Sequence, residues 1–172
     1  MKRIILLFLV IINCTSGFSQ KSAWLNADSV KNRLSAAPNY YEFTGGYGRY
    51  HAVKGNCKID ITYNTKTKEI STITCMVAVD KLHPNMWDAK DIFKFYSAID
   101  RKVATYYRER YLRIIEDKRA YENTDPYVDN SKAMKFTLGH NLFDARKAAK
   151  NNPAYHPDKG TIYLNAEIDR LL

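Results

Sequence analysis

The stretch Phe43-Thr44-Gly45-Gly46-Tyr47-Gly48-Arg49-Tyr50-His51 carries residue types able to hold an anion. Its glycines let backbone N–H groups come close to a ligand. Tyr47, Arg49 and His51 stand among them with a hydroxyl, a guanidinium and an imidazole. The glycine spacing excludes a dinucleotide fingerprint, and no Lys-Ser or Lys-Thr follows to make a P-loop. A tight turn between strands is the competing reading of the same residues. A second cation, Arg110, falls among Tyr106, Tyr107, Tyr111 and Ile114 on the apolar side of a helical pattern. A buried guanidinium keeps its charge and needs a carboxylate, a carbonyl or an anionic ligand. Alternatively, its aliphatic stem packs on the tyrosines while its head reaches water or an internal acid. Asp100 lies ten residues away, about 15 Å along a helix, too far to pair with it. Tyr47, Arg49, His51, Tyr107 and Arg110 are therefore the candidate binding residues, for a small anionic or glycan ligand.

Catalytic chemistry finds less material. The histidines are His51, His83, His140 and His156, and none forms an HxxxH pair. His140 with Asp144, and His156 with Asp158, are spacings that chance supplies often, so no metal site and no cofactor is expected. No serine stands in a GxSxG context. A hydrolase remains open only if distant residues such as His51, His140, His156 and Asp158 converge.

Residues 88–121 contain neither Gly nor Pro. Ile92, Phe95, Tyr96, Ile99, Val103, Tyr106, Tyr107, Tyr111 and Ile114 recur at helical spacing. Lys94, Arg101, Arg108 and Arg119 lie on the opposite side. This predicts one long amphipathic helix. Before it, Cys57, Ile59, Ile61 and Tyr63 alternate with polar residues. After the loop 64–68, Ile73, Cys75, Val77 and Val79 do the same, which predicts a β-hairpin. Setting Tyr63 opposite Glu69 places Ile61 opposite Ser71, Ile59 opposite Ile73 and Cys57 opposite Cys75. That register predicts a Cys57–Cys75 cross-strand disulfide, with two separate buried thiols as the alternative.

The flanking elements are shorter. Asn26 or Asp28 can cap a helix running to Leu34, and residues 40–44 read as a strand followed by a turn over 45–48. Residues 135–138 and 161–164 read as short strands. Residues 141–150 read as a helix, and Asn165 as the cap of a terminal helical turn ending at Leu171. The fold class is α+β: an antiparallel sheet with a disulfide-clamped hairpin packed on one long amphipathic helix.

Lys2 and Arg3 precede the apolar run 4–12, and small and polar residues follow. This is the pattern of a secretory signal peptide over residues 1–19, cleaved after Ser19, leaving a single domain over 20–172. Lipidation at Cys14 is the alternative, although Asn13 departs from the small residue normally found before such a cysteine. The mature chain then has no transmembrane segment and is periplasmic or secreted, where a disulfide persists. Loss of Lys2 and Arg3 lowers the formal charge from +9 to +7. The cations are scattered, which reads as an evenly solvated surface. A nucleic-acid partner is not expected for an exported protein.

The layout resembles a family of small secreted bacterial proteins regarded as zinc peptidases. The shared order is Trp24, a hairpin, a strand ending Val77-Ala78-Val79-Asp80-Lys81, then Trp87, a long helix, and Tyr155 and Gly160 near the end. Tyr106-Tyr107-Arg108 matches the family's Tyr-x-Arg-like segment. The family's HExxH motif falls on Phe95-Tyr96-Ser97-Ala98-Ile99, so both histidines and the glutamate are missing. The resemblance implies a shared fold without the side chains that would hold zinc and without a general base. The expected function is an exported non-catalytic binding or interaction protein, whose thirteen tyrosines suit a binding surface. Its partner would be a small anion, a glycan or an envelope protein. The rivals are the dispersed-site hydrolase and an inhibitor of a secreted enzyme or toxin.

Overall fold

A computed structural model describes residues 26–79, 81–116, 126–130, 133–154 and 162–171. The expected leader, Cys14, Trp24, Tyr155, His156, Asp158 and Gly160 lie outside the described residues.

The chain begins with α1 (Ala27–Ser35), whose N-cap is Asn26. The Asn26 carboxamide oxygen accepts the N–H groups of Asp28 and Ser29 at 3.0 and 3.2 Å, satisfying donors that a helix start leaves open. Four antiparallel strands follow in meander order: β1 (Thr44–Gly46), β2 (Arg49–Lys54), β3 (Cys57–Tyr63) and β4 (Ile70–Val79). Next come α2 (Lys90–Ile99), α3 (Arg101–Glu116), β5 (Tyr127–Asp129), β6 (Met134–His140), α4 (Leu142–Asn151) and β7 (Ile162–Arg170). The seven strands form one sheet in the order β1-β2-β3-β4-β7-β6-β5, antiparallel throughout. The α+β class is therefore as expected. Among the described residues no helix is long and apolar enough to cross a membrane.

One face of the sheet is apolar. Ile59, Ile61, Ile73, Cys75, Val77, Ile162, Ala166, Ile168 and Phe136 are fully enclosed there, together with Ile92, Phe95, Tyr96 and Tyr107 from α2 and α3. Each such large side chain contributes about 1.5–3 kcal/mol by leaving water. The other face is polar or partly exposed along every strand, so the molecule has two layers.

Three expectations need correction. The helix is not continuous, because Asp100 is extended (φ −153°, ψ 117°) and separates α2 from α3. Its carboxylate accepts the N–H groups of Lys102 and Val103 at 2.8 and 3.4 Å, so it serves as the N-cap of α3. Aspartate favours this position over a helix interior. The apolar spacing continues across the break, since Ile99 and Val103 are four apart, and so the periodicity concealed it. In a straight helix Tyr96 and Tyr107 would lie about 16 Å apart along the axis. Their rings instead stack at 5.2 Å, which requires the chain to turn sharply between them.

The hairpin register differs as well. Cys57 faces Val77, Ile59 faces Cys75 and Ile61 faces Ile73. The ladder resumes with Tyr63 opposite Ile70, one residue beyond the expected Glu69, and an irregularity between Thr62 and Tyr63 adds a second one-residue offset. Two single offsets preserve side-chain parity, so the apolar set stays on the core side. Ile70 and Ile73 are both buried despite their odd spacing, for the same reason. The two cysteines share a face diagonally rather than directly. They are unbonded, with sulfurs 3.5 Å apart.

The C-terminus is the third correction. Asn165 caps no helix but lies within β7, which fills the centre of the sheet between β4 and β6. Ile162, Leu164, Ala166 and Ile168 point inward in strict alternation, a period-two pattern that continues beyond residue 164. At the other end, residues 43–51 form a hairpin. Tyr47 (φ 51°) and Gly48 (φ 96°) make a two-residue turn with both central residues left-handed, the geometry that fits strand twist.

Candidate functional site

The sheet divides the five candidate binding residues. Arg49 and His51 project from β2 onto the open face, where both meet Asp60 of β3. Arg49 Nη2 and Nε lie 2.6 and 2.8 Å from Asp60 Oδ1, and His51 Nδ1 lies 3.0 Å from the same oxygen. Asp60 was not among the candidates, although its alternation with Ile59 and Ile61 places it on the polar side of β3. Cross-strand pairing builds the row Thr44, His51, Asp60, Thr74, Glu167 and Thr137 across this face. Tyr47 sits at the tip of its turn, fully exposed, and takes no part in this cluster.

Tyr107 is in the core on the opposite side. Its hydroxyl donates to Phe136 O at 2.6 Å and accepts from the Tyr127 N–H at 3.1 Å, tying α3 to β6 and β5. Arg110 is half-buried. Its guanidinium lies 3.2 Å from the centroid of the Tyr106 ring and donates to Tyr106 O at 3.4 Å. That is a cation–π contact within one helix turn.

Among the described residues, His51 and His140 do not converge. His51 is on the open face of β2, whereas His140 follows Met134, Phe136 and Leu138 on the core side of β6. Four strand spacings, about 19 Å, separate β2 from β6. Among the described residues no group of three metal-ligating side chains is assembled.

A cleft of about 690 Å³ lies on the outer side of the helical layer. The end of α1 supplies Arg33 and Ala36, and the following turn supplies Ala37, Pro38 and Asn39. Met86 and Trp87 stand before α2. The outward face of α2 contributes Lys90, Phe93, Lys94, Ser97 and Ala98, and α3 contributes Arg101 and Arg108. Lys90, Lys94 and Ser97, at i, i+4 and i+7, form the polar stripe of α2 opposite its apolar arc, and Arg101 follows beyond the break at Asp100. The sequence placed Lys94, Arg101 and Arg108 on that stripe but gave no sign that α1 would form a facing wall. Among the described residues the lining holds five cations and no carboxylate. Burial holds the Arg33 guanidinium below its ordinary pKa.

No protein-family model matches the sequence, and no curated protein or solved structure matches it either.

The turn that carries Trp87 of the lining is held by reciprocal hydrogen bonds. Asn85 Oδ1 accepts the Trp87 N–H at 2.8 Å, Asp88 Oδ2 accepts the Asn85 N–H at 2.6 Å, and Lys81 Nζ binds Asp88 Oδ1 at 2.8 Å. Burial alone would raise the Asp88 pKa. The Asn85 N–H and the Lys81 ammonium outweigh it and leave the carboxyl below its usual value. Trp87, thus fixed, remains 79 % exposed.

Beneath the sheet, Tyr41 donates its hydroxyl to Cys57 Sγ at 3.3 Å. Cys57 is the more acidic of the thiol pair, because its sulfur accepts from Cys75 and, against the effect of burial, from Tyr41 as well. Burial pushes the Cys75 thiol up.

Proposed function

We propose that this chain is an exported, non-catalytic binding protein, periplasmic or secreted, whose ligand is a small anion or anionic glycan held in the cleft between α1, α2 and α3. The observation that carries this reading is the lining itself, with five cations and no carboxylate among the described residues. Clefts walled by one sign of charge concentrate ligands of the other sign. The test is native mass spectrometry of the protein recovered from its own cell envelope. A retained anionic molecule, lost from a Lys94→Ser/Arg101→Ser/Arg108→Ser variant, is the expected result. Retention that ignores the three substitutions would refute the reading.

Two finer points belong to the same proposal. In an oxidising compartment Cys57 and Cys75 close into a clamp between β3 and β4. Their sulfurs share a face 3.5 Å apart and need to approach by about 1.5 Å. The mature chain starts at Gln20, or, if Cys14 is lipidated, remains attached to a membrane. Kinship with the zinc-peptidase-like family would be one of fold. The positions where its metal ligands would stand, Phe95 and Ile99, are buried in the core.

A second reading, an inhibitor or a partner of an envelope protein, draws on the open face of the sheet. Val53, Met76 and Tyr163 are exposed there beside Lys58.

A further inference from the structure

We propose that the ligand of the cleft is an anionic amphiphile. Its apolar tail or ring lies against Met86, Trp87 and Phe93, and its phosphate, sulfate or carboxylate head is held by Lys94, Arg101 and Arg108. This rests on the anion-binding reading above and narrows it.

The lining divides by chemistry in a way that suits two-part molecules. Besides the cations, its side chains are apolar except for Asn39 and Ser97. A sugar ring carries a hydroxyl on nearly every carbon and is ordinarily met by several carboxamides and carboxylates. Two neutral polar groups and no carboxylate leave most of those hydroxyls without partners, at a cost of about 1–3 kcal/mol for each one desolvated. An alkyl chain or fused ring makes no such demand, and an exposed indole beside Phe93 and Met86 gives it a surface to cover.

Size separates the remaining alternatives. At about 690 Å³ the cleft lies within the range of about 300–1,000 Å³ that takes whole organic ligands. An inorganic anion would leave its apolar floor bare. A flat bilayer would touch the rim but leave the concavity unfilled.

The test is isothermal titration of the purified mature chain with decyl phosphate at submicellar concentration. Decyl glucoside serves as a neutral ligand with the same tail, and inorganic phosphate as the head alone. The expected result is one saturable site for decyl phosphate and binding at least about tenfold weaker for each of the other two. Arg101→Ser/Arg108→Ser and, separately, Trp87→Ala should each weaken decyl phosphate by about tenfold, while the charge-matched Lys58→Ser/Lys66→Ser leaves it unchanged. All of these positions are exposed, so the variants retain the fold, and circular dichroism checks that they do. Equal binding of decyl phosphate and decyl glucoside would overturn the proposal, as would indifference to the cleft variants. Binding only to anionic phosphatidylglycerol vesicles would also overturn it, in favour of a membrane surface. Two further arms separate it from its parent reading. If oligogalacturonate binds in the cleft and decyl phosphate does not, the amphiphile falls and the anion-binding reading stands. If neither binds, both fall.

Discussion

The two sides of this molecule treat positive charge differently. On the open face of the sheet, Arg49 and His51 converge on Asp60 within 3.0 Å, so two groups that looked available to a ligand are already engaged. On the helical side, Lys90, Lys94, Arg101 and Arg108 share a concavity with no carboxylate in its described lining. Among the described residues, Lys94 also makes a loose contact with Asp91 at 3.8 Å. Local electroneutrality is therefore a better guide to function here than residue type. Where the fold supplies the counter-charge, the cluster holds strands together. Where it does not, the counter-charge can come from outside.

The comparison breaks most readily if the helical side is given the acid that the sheet already has. Ser97→Glu places a carboxylate three residues after Lys94 and four before Arg101, on the exposed stripe of α2. Anion affinity should fall by about 2 kcal/mol or more, because a like charge now occupies the site. Stability should hold or rise by about 0.3 kcal/mol through the new helical pair with Lys94. Titration calorimetry and urea denaturation of the same sample measure both, and undiminished affinity would show that charge does not govern the cleft.

Asp100→Ala probes the joint that gives the helical side its shape. Loss of the two cap hydrogen bonds should reduce stability by about 1 kcal/mol in urea. Anion affinity should also fall, since Arg101 and Arg108 are positioned by that joint. A variant as stable as the parent would mean that tyrosine stacking alone sets the turn.

Asp60→Ala tests the sheet side, and its effect should be smaller. Arg49 is largely solvated and His51 partly so, and the loss should therefore be about 0.5 kcal/mol and should shrink as salt is added. Anion binding in the cleft should not change, whereas a change would place the ligand on the wrong face.

The smallest effect concerns Asp88, whose folded pKa lies below its usual 3.8. A depressed carboxyl stabilises the fold above its unfolded pKa, and that contribution is lost as pH falls through the folded value. The turn holding Trp87 should therefore stay intact down to about pH 4 and loosen only below it. Carbon-detected NMR titration of the carboxyl carbon checks this, and a midpoint above 3.8 would contradict it.

What was legible in the sequence follows from which forces are local. Asn26 and the Val30/Leu34 spacing are read within one helix, and α1 appears nearly as expected. The β3–β4 hairpin and α4 were equally readable, because alternation and helical period need no knowledge of distant chain. The exact hairpin register depended on where the loop closed. Asn64 accepts the N–H groups of Lys66 and Thr67 and donates its own N–H to Glu69 O, which sets a closure that strand alternation does not encode. The break at Asp100 was hidden because the same i, i+4 step serves a continuous helix and a folded one. The cleft was half-visible. Its cationic stripe was evident on α2 and α3, but Arg33 lies more than fifty residues earlier and reaches the stripe only through packing of α1. Asp60 was missed because its partners belong to another strand.

The central claim is that an anion is received on the helical side and not on the sheet. Backbone and side-chain NMR shifts of the mature chain, followed while decyl phosphate is added, test it most directly. The account predicts saturating shifts at Trp87, Lys94, Ser97, Arg101 and Arg108, with Arg49, His51 and Asp60 unmoved. Saturating shifts centred on Arg49 and His51, with the helical stripe silent, would contradict it.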